Sequence, residues 1–372
     1  MKPTASFALM TAILLLTSCS AERGQPDEPL GTTSVGPPAR SLAEFETVVA
    51  RVRSDLKIPG LSAAITKNGR TVWARGYGQA DRESGRAATP ETVYHLASLT
   101  KPFAATVIMQ LVEGGVLDLE TPVSDYGIHL EAQGVVRVKH LLSHTSEGVP
   151  GAAFRYSGNR FAYLDDVIRA AAGRTFCDLL NERLLVPHHW DLTGPYPSSF
   201  PNCLINDPRT ALIRARMAQG YTSNGQYRLA YQEYFGTAAG LVSNVLDLCA
   251  FSIAFDNDLL VLPASRELML TPYVSNSGEG QAYGLGWFID DNESARIVWH
   301  YGYWDAASTL IMKFPDRNIN FVVLANSDRL SSASPGLGSD EDVNRSVIAQ
   351  EFLNAFIYGT AELPDGAVDR ER

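Results

Sequence analysis

The strand-like segments of this chain lie near its two ends, and the stretch between them is mostly helical and loop-rich. Two N-terminal segments, residues 61–66 and 71–77, flank Asn68 and Gly69, a dipeptide typical of a tight β-hairpin turn. Apolar runs at the other end predict strands at residues 283–289, 296–300, 308–314 and 320–324. We therefore predict an α/β (α+β) fold, with a mainly antiparallel five-stranded sheet flanked by helices and an inserted, mostly helical domain. The crevice between the two parts is the natural place for a site.

Length and charge restrict the class of protein further. The chain has 372 residues, 45% of them hydrophobic, and a formal net charge of −10 without a basic cluster. This composition is that of a globular protein and argues against nucleic-acid binding, which needs concentrated lysine and arginine. We divide the chain into a signal peptide (1–18), a Pro-, Gly-, Ser- and Thr-rich tether (19–41), a sheet domain (42–120 and 256–358), an inserted helical domain (121–255) and a tail (359–372).

The first residues have the pattern of a bacterial export signal. An apolar stretch at residues 7–16 follows Lys2 and is too short to span a bilayer. Residues 16–19 resemble a lipobox, which implies lipidation of Cys19 and a lipid anchor in the cell envelope. Ser20 then implies the outer membrane, facing the periplasm, because aspartate there would be the inner-membrane retention signal. The alternative is a plain secretory signal, with Cys19 incidental and the protein soluble in the periplasm or secreted.

Ser98 and Lys101 lie three residues apart at the start of a long apolar-periodic stretch. Residues at this spacing share one face of a helix, so the lysine amine can contact the serine hydroxyl. An amine whose pKa is lowered by burial or by neighbouring positive charge can take the hydroxyl proton and make the serine a nucleophile. Pro102 suits the first turn of a helix and would place Ser98 near the helix N-terminus, where negative charge is favoured.

The same spacing also occurs by chance in a chain of this length, so the pair alone is a weak signal. Ser54 and Lys57 form a second match, which we interpret as the polar end of an amphipathic helix that stops before Pro59. The corresponding alternative for Ser98 is a helix cap followed by a solvated Lys101.

Seven short motifs, in this order, decide between these interpretations. They lie at residues 76–78, 98–102, 140–146, 154–157, 240–243, 283–287 and 300–302. Together they resemble the serine β-lactamase and penicillin-binding protein superfamily, specifically its class C branch, which includes family VIII-type esterases and D-aminopeptidases. The likeness extends from about residue 42 to 358 and implies a β-lactamase/transpeptidase-like fold with Ser98 as nucleophile and Lys101 as its partner.

The resemblance also implies a tyrosine that helps to move the nucleophile's proton, and Tyr156 fits this position. A phenol beside a lysine ammonium should have a lowered pKa and can act as general base. The sequence departs from the family's Tyr-x-Asn pattern, because Gly158 occupies the asparagine position and Asn159 follows one residue later. Ser157 and Asn159 can alternatively be interpreted as the Ser-x-Asn of other branches, with Ser157 as the proton shuttle. We favour Tyr156 because its flanking residues match, and we keep Asn159 as a substrate-binding candidate.

The third family motif, usually Lys-Thr-Gly, is replaced here by residues 300–302. The resemblance implies that the backbone N–H groups of Ser98 and Tyr303 form the oxyanion hole. It also makes His300 a candidate for binding a substrate carboxylate or the Tyr156 region, and Gly302 a point where the backbone approaches the substrate closely. The alternative for His300 is a capped surface residue at the end of a strand.

The remaining cysteines and histidines indicate no cofactor and no metal. Cys177, Cys203 and Cys249 allow one disulfide after export, with Cys177 and Cys203 the closer pair, but we favour three small buried side chains. His95 and His144 are interpreted as structural.

These patterns predict a serine hydrolase that forms a covalent acyl-enzyme with a small-molecule substrate. Esters or D-amino-acid peptides are favoured over β-lactams, because the asparagine and the lysine that recognise a β-lactam are both altered. The alternative is a non-catalytic penicillin-recognising or peptidoglycan-binding lipoprotein that keeps the fold and Ser98 without turnover.

Overall fold

One large antiparallel sheet dominates the computed structural model, which describes residues 36–292, 294–333 and 342–367. In the described residues its seven strands follow the order β3-β2-β1-β10-β9-β8-β7, and a second, three-stranded sheet follows the order β4-β6-β5. The strands are β1 (Gly60–Lys67), β2 (Arg70–Asp81), β3 (Arg86–Ala87), β4 (Tyr94–His95), β5 (Gly194–Pro195), β6 (Leu241–Ser243), β7 (Phe288–Asn292), β8 (Ala295–Trp304), β9 (Ala307–Phe314) and β10 (Ile319–Ala325). The predicted signal segment and Cys19 lie outside the described residues.

The first hairpin and the joining of the two chain ends are confirmed. Asn68 and Gly69 both have positive φ, 51° and 72°, as a tight turn between β1 and β2 requires. β1 pairs antiparallel with β10, with Leu61 opposite Ala325 and Lys67 opposite Ile319, so N-terminal and C-terminal strands share one sheet.

The large sheet has seven strands where the sequence predicted five. β3 and β7 form the two edges of the sheet, and β3 is the strand that no predicted segment covers. β3 is only two residues long and lies in a polar segment, so no apolar alternation marks it. The predicted strand at residues 283–289 begins later, at Phe288, and forms β7.

The helices cover the sheet on both faces. They are α1 (Leu42–Asp55), α2 (Lys101–Glu113), α3 (Val138–Leu142), α4 (Gly158–Ala162), α5 (Leu164–Ala172), α6 (Phe176–Leu180), α7 (Pro208–Arg216), α8 (Val245–Asp256), α9 (Pro263–Met269), α10 (Arg329–Ser332) and α11 (Val347–Phe352). Short 3₁₀ turns occupy Ala97–Thr100, Val123–Tyr126, Pro315–Arg317 and Val343–Arg345, and π turns occupy Asn181–Leu185 and Leu353–Ile357.

Two large hydrophobic clusters, one on each face of the sheet, make up most of the core of the described residues, and a third, small cluster contains Tyr231, Ala306 and Ala307. Alternate residues of a strand point to opposite faces, so Leu61 and Ala63 pack with α1 and α11. Ala64, the residue after Ala63, points to the opposite face and packs instead with α2 and α8. α2 therefore lies between the sheet and the central helices. Its first residue, Lys101, is buried.

The cysteine interpretation is corrected by the structure. Cys177, in α6, forms a disulfide with Cys203, at a Cα–Cα distance of 5.5 Å, whereas Cys249 is buried in α8. The two half-cystines come from segments that only the tertiary fold brings together. The proposed boundaries of the sheet domain and the inserted domain stay predictions. Among the described helices, none combines the length and apolar character that crossing a membrane requires.

Candidate active site

Ser98 and Lys101 meet where a 3₁₀ turn runs into α2. Ala97–Thr100 form the turn, and α2 begins at Lys101 with Pro102 in its first turn. The Lys101 Nζ donates a hydrogen bond to the Ser98 Oγ at 2.9 Å. Ser98 is partly accessible, whereas the Lys101 side chain is fully buried. An incoming carbonyl group can therefore reach the hydroxyl while the amine stays shielded from water.

Burial makes the Lys101 amine a usable base. It lowers the pKa of Lys101 from its ordinary value to about 7, because a charged ammonium is disfavoured away from water. The Nζ also donates to the backbone oxygen of Ala238 at 2.9 Å, so its position is set by two acceptors. A substantial share of neutral amine at neutral pH is what a proton acceptor for Ser98 needs.

Tyr156 lies beside this pair, but its electrostatics differ from the prediction. The Lys101 Nζ is 4.9 Å from the centre of the Tyr156 ring, and the buried phenol oxygen makes no well-formed hydrogen bond to the described residues. Burial, helped by Tyr301, raises the pKa of Tyr156 well above its ordinary value, and the nearby Ser98 side chain opposes this only in part. The predicted lowering by Lys101 is wrong, because burial disfavours the phenolate. A neutral phenol suits proton donation or relay better than proton abstraction.

Ser157 and Asn159 are placed by the short helix α4. The Ser157 Oγ accepts a hydrogen bond from the Arg160 amide at 3.3 Å and so caps the helix. Its own amide donates to His144 Nδ1 at 3.1 Å. Asn159 is exposed in the first turn of α4. The cap gives the Ser157 hydroxyl a local structural role.

His300 is buried rather than exposed at the end of a strand. Its Nδ1 donates to the Tyr301 oxygen at 2.7 Å, and its Nε2 accepts from the Tyr283 hydroxyl at 3.0 Å. Burial and Lys101 lower the pKa of His300 well below its ordinary value, so the ring is neutral at pH 7. Both ring nitrogens are engaged within the protein. Direct contact of His300 with a substrate stays a prediction, and it requires one of these bonds to open.

β8 packs closely along the turn that carries Ser98. A Cβ on Gly302 would lie 2.0 Å from the backbone oxygen of Leu96, so only glycine fits at this crossing. The Thr309 hydroxyl of the neighbouring strand donates to the same oxygen at 3.0 Å. The close approach at Gly302 is therefore to the residue that precedes the turn carrying Ser98. Tyr303, the candidate oxyanion donor, is the next residue of β8.

The sequence analysis missed the contact of His144 with the candidate site. The His144 ring centre is 4.4 Å from that of Tyr156, and its Nε2 is buried without a hydrogen-bond partner in the described residues. Burial lowers the pKa of His144 well below its ordinary value, and Lys101 adds to this effect. A neutral imidazole that accepts at Nδ1 carries its proton on Nε2 and packs against the Tyr156 ring. The motif at residues 140–146 marked the segment without indicating this contact.

Within the described ranges, no group of three or more His, Cys, Asp or Glu side chains is placed to hold a metal ion.

Comparison with known proteins identifies a family model that matches most of this chain. The family model described as Beta-lactamase matches residues 45–338. Penicillin-binding protein 4* of Bacillus subtilis is 25% identical over 302 residues, 70% of this chain and 67% of that protein. Protein flp of Staphylococcus aureus is 25% identical over 332 residues, 77% of this chain and 63% of that protein. The matches thus span about two thirds of these relatives' length.

A solved structure shows the same architecture. The octameric penicillin-binding protein homologue from Pyrococcus abyssi is 26% identical and superimposes with a TM-score of 0.69, covering 84% of this chain and 77% of that one.

Proposed function

Because the chain belongs to the Beta-lactamase family, which is part of a serine hydrolase superfamily, we propose that it hydrolyses its substrate through a covalent acyl-enzyme on Ser98. The observation that carries this proposal is the 2.9 Å hydrogen bond from the Lys101 Nζ to the Ser98 Oγ. The amine is buried, and its pKa near 7 leaves much of it neutral at neutral pH. A nucleophile and its proton acceptor are then in contact before the substrate arrives.

The residues share the acylation step as follows. The neutral Lys101 amine takes the Ser98 proton while the Oγ attacks the carbonyl carbon of the substrate. The backbone N–H groups of Ser98 and Tyr303 are the proposed donors to the resulting oxyanion. Tyr156, kept neutral by burial, gives its proton to the leaving alcohol or amine and recovers one from Lys101. A water molecule then attacks the acyl carbon, the bond to the Ser98 Oγ breaks, the acyl group leaves as a carboxylic acid, and the Oγ takes up the water's proton to restore the hydroxyl.

The altered recognition residues favour a small ester or a D-amino-acid peptide over a β-lactam. His300 stands where the family usually has lysine, and its ring is neutral and engaged by Tyr283 and Tyr301. It therefore supplies no positive charge for a substrate carboxylate. Asn159 is exposed, one position beyond the usual asparagine, so the contact to a substrate amide also differs.

Covalent labelling of the full chain by a fluorophosphonate, followed by assays with small esters, D-amino-acid peptides and nitrocefin, tests the proposal. We expect stoichiometric labelling on Ser98 and turnover of at least one ester or D-peptide. Stoichiometric binding of a fluorescent penicillin without turnover of any substrate would support the non-catalytic alternative. A folded protein that no reagent labels would overturn the assignment of the nucleophile.

Substitution of Tyr156 by phenylalanine distinguishes the two possible proton shuttles. Tyr156→Phe keeps the packed ring and removes the hydroxyl, so kcat should fall by about 10²–10⁴-fold while the fold persists. Ser157→Ala should cost only a few-fold in kcat, since the Ser157 hydroxyl caps α4. Steady-state kinetics with the best ester measure both. A larger loss for Ser157→Ala would identify Ser157 and Asn159 as the functional pair.

We propose that the protein is anchored in the bacterial cell envelope by a lipid on Cys19. The proposal rests on the lipobox-like residues 16–19. Cys19→Ala should abolish palmitate incorporation and either release a soluble protein or leave an uncleaved precursor. Metabolic labelling with radioactive palmitate, with and without globomycin, measures this in cells. Absence of label on the natural protein would show that the signal is a plain secretory one.

A further inference from the structure

A three-residue contact behind the active site connects Asp165 to the Lys101 amine. Both carboxylate oxygens of Asp165 accept the Thr237 amide, at 3.2 and 3.1 Å, and one also accepts the Thr237 hydroxyl at 3.1 Å. The next residue, Ala238, provides the backbone oxygen that accepts Lys101 Nζ. The Thr237 hydroxyl also lies 3.2 Å from the Phe161 oxygen, a second acceptor in the adjoining helix.

Thr237 and Ala238 belong to the loop at residues 236–241, and the other end of this loop is hydrogen-bonded to the segment that carries Ser98. The Leu241 amide donates to the Thr100 hydroxyl at 3.1 Å, and the Leu241 oxygen accepts the Leu96 amide at 2.8 Å. Gly240, directly before Leu241, has φ +98°, and a Cβ there would lie 2.0 Å from the Tyr234 oxygen. The loop from 236 to 241 is therefore held at both ends, by Asp165 on one side and by the Ser98 turn on the other.

Burial of the Asp165 carboxylate is unfavourable, because it removes a charged group from water. Asp165 is half-buried at the start of α5, and burial raises its pKa to about 6, although the Thr237 hydrogen bonds oppose the rise. A carboxylate can stabilise the start of a helix without being buried. Asp166, which also lies in the first turn of α5, is exposed to solvent. Desolvation together with three hydrogen bonds to one loop indicates that Asp165 acts on that loop.

We propose that Asp165 is a positioning residue that holds Thr237, and through it the Ala238 oxygen, so that Lys101 Nζ stays aligned with Ser98. This inference rests on the proposed role of Lys101 as the proton acceptor. The amine has only two hydrogen-bond acceptors in the described residues, Ser98 and Ala238, so displacement of the Ala238 oxygen changes where the amine sits. A displacement of about 1 Å in such a group can cost about 100-fold in rate.

Paired substitutions in the full chain separate positioning from helix stability. Asp165→Asn leaves an amide N–H₂ group facing one of the Thr237 donors, and Thr237→Val removes only the hydroxyl. We expect each to slow Ser98 labelling by a small fluorophosphonate, and to lower kcat, by between about tenfold and 100-fold, with KM within about threefold. Thr237→Ser keeps the hydroxyl and should restore the rate of labelling.

Asp166→Asn is the matched control. Asp166 also lies in the first turn of α5 and is exposed, so this change removes the same charge from the same helix end without touching the loop. Its labelling rate should equal that of the unsubstituted chain. Rates are referred to the folded fraction, measured by circular dichroism at the assay temperature.

The outcomes separate this proposal from the proposed function. If Asp165→Asn and Thr237→Val lower the Tm but label as fast as the unsubstituted chain per folded molecule, the positioning role is overturned and the acyl-enzyme proposal is untouched. If Thr237→Ser and Thr237→Val slow the labelling of Ser98 equally, the positioning role is likewise overturned. If the unsubstituted chain itself is not labelled, the proposed function fails first, and the positioning role fails with it.

Discussion

Replacement of Ser98 by alanine should abolish covalent labelling and reduce hydrolysis by roughly 10⁴-fold or more. In the proposed mechanism the acyl-enzyme bond forms on the Ser98 Oγ, and alanine has no atom to take its place. The backbone should be unaffected, since Ser98 is partly accessible and its hydroxyl accepts only the Lys101 hydrogen bond among the side-chain contacts described. Intact-mass measurement after incubation with the fluorophosphonate, together with steady-state kinetics, measures the effect.

Ser54→Ala is the control for this experiment, because Ser54 is the other serine of the chain that precedes a lysine by three residues. Ser54 is exposed in the last turn of α1, and Lys57, just beyond the helix, has a positive φ of 56°. Labelling and turnover of Ser54→Ala should match the unsubstituted chain. Undiminished labelling of the Ser98→Ala protein would mean that another residue is the nucleophile.

Replacement of Lys101 by methionine should lower kcat/KM by about 10²–10⁴-fold, the usual contribution of general acid–base catalysis. Methionine fills a similar buried volume but offers no amine to accept the Ser98 proton. The Ala238 oxygen loses its donor, at a cost of about 1–3 kcal/mol in the free energy of unfolding, which removal of a buried amine partly offsets. The loss in kcat/KM should therefore greatly exceed any loss in folded fraction.

The pH dependence of the unsubstituted chain reports on the same amine. Burial lowers the Lys101 pKa to about 7, so the neutral form gains about tenfold per pH unit below that value and levels off above it. The kcat/KM of the unsubstituted chain should follow this curve, and the Lys101→Met residual activity should not. A profile that is flat between pH 5 and 8 would contradict the role of Lys101 as the base.

Lys313→Met is the matched control for the lysine. Lys313 is also buried, in β9, where its Nζ lies 2.8 Å from the Asp256 carboxylate. Its removal should lower Tm, because Asp256 loses an ion-pair partner, while kcat/KM per folded molecule stays unchanged. A loss of rate equal to that of Lys101→Met would show that the effect belongs to buried lysines in general.

Local rules were enough to predict the parts of the molecule that depend on near neighbours in sequence. The turn at Asn68 and Gly69 needs positive φ, which these residue types adopt readily, so the first hairpin could be predicted. The contact between Ser98 and Lys101 follows from the helical three-residue spacing. The joining of strands from both chain ends was also predicted, because a strand needs partners and the central segment offered few.

Electrostatics at the site could not be predicted in this way. The pKa of Tyr156 depends on how completely distant segments cover its hydroxyl, and burial outweighed the nearby amine. The same is true of His300, whose ring is engaged by Tyr283 and by the Tyr301 oxygen in the core. Proximity along the chain says which groups can meet, whereas desolvation depends on everything packed around them.

By itself, the sequence determined the placement of most strands near the two chain ends, the first hairpin and the pairing of Ser98 with Lys101, because each follows from backbone preferences or from spacing within one element. Tertiary structure alone decided that Cys177 bonds Cys203, that Lys101 is buried deeply enough to lose its charge near pH 7, and that Asp165 reaches the loop of Ala238. These contacts join residues 26 to 137 positions apart, and no local pattern specifies them. They arise only when the two faces of the sheet have been covered and water has been excluded from the space between.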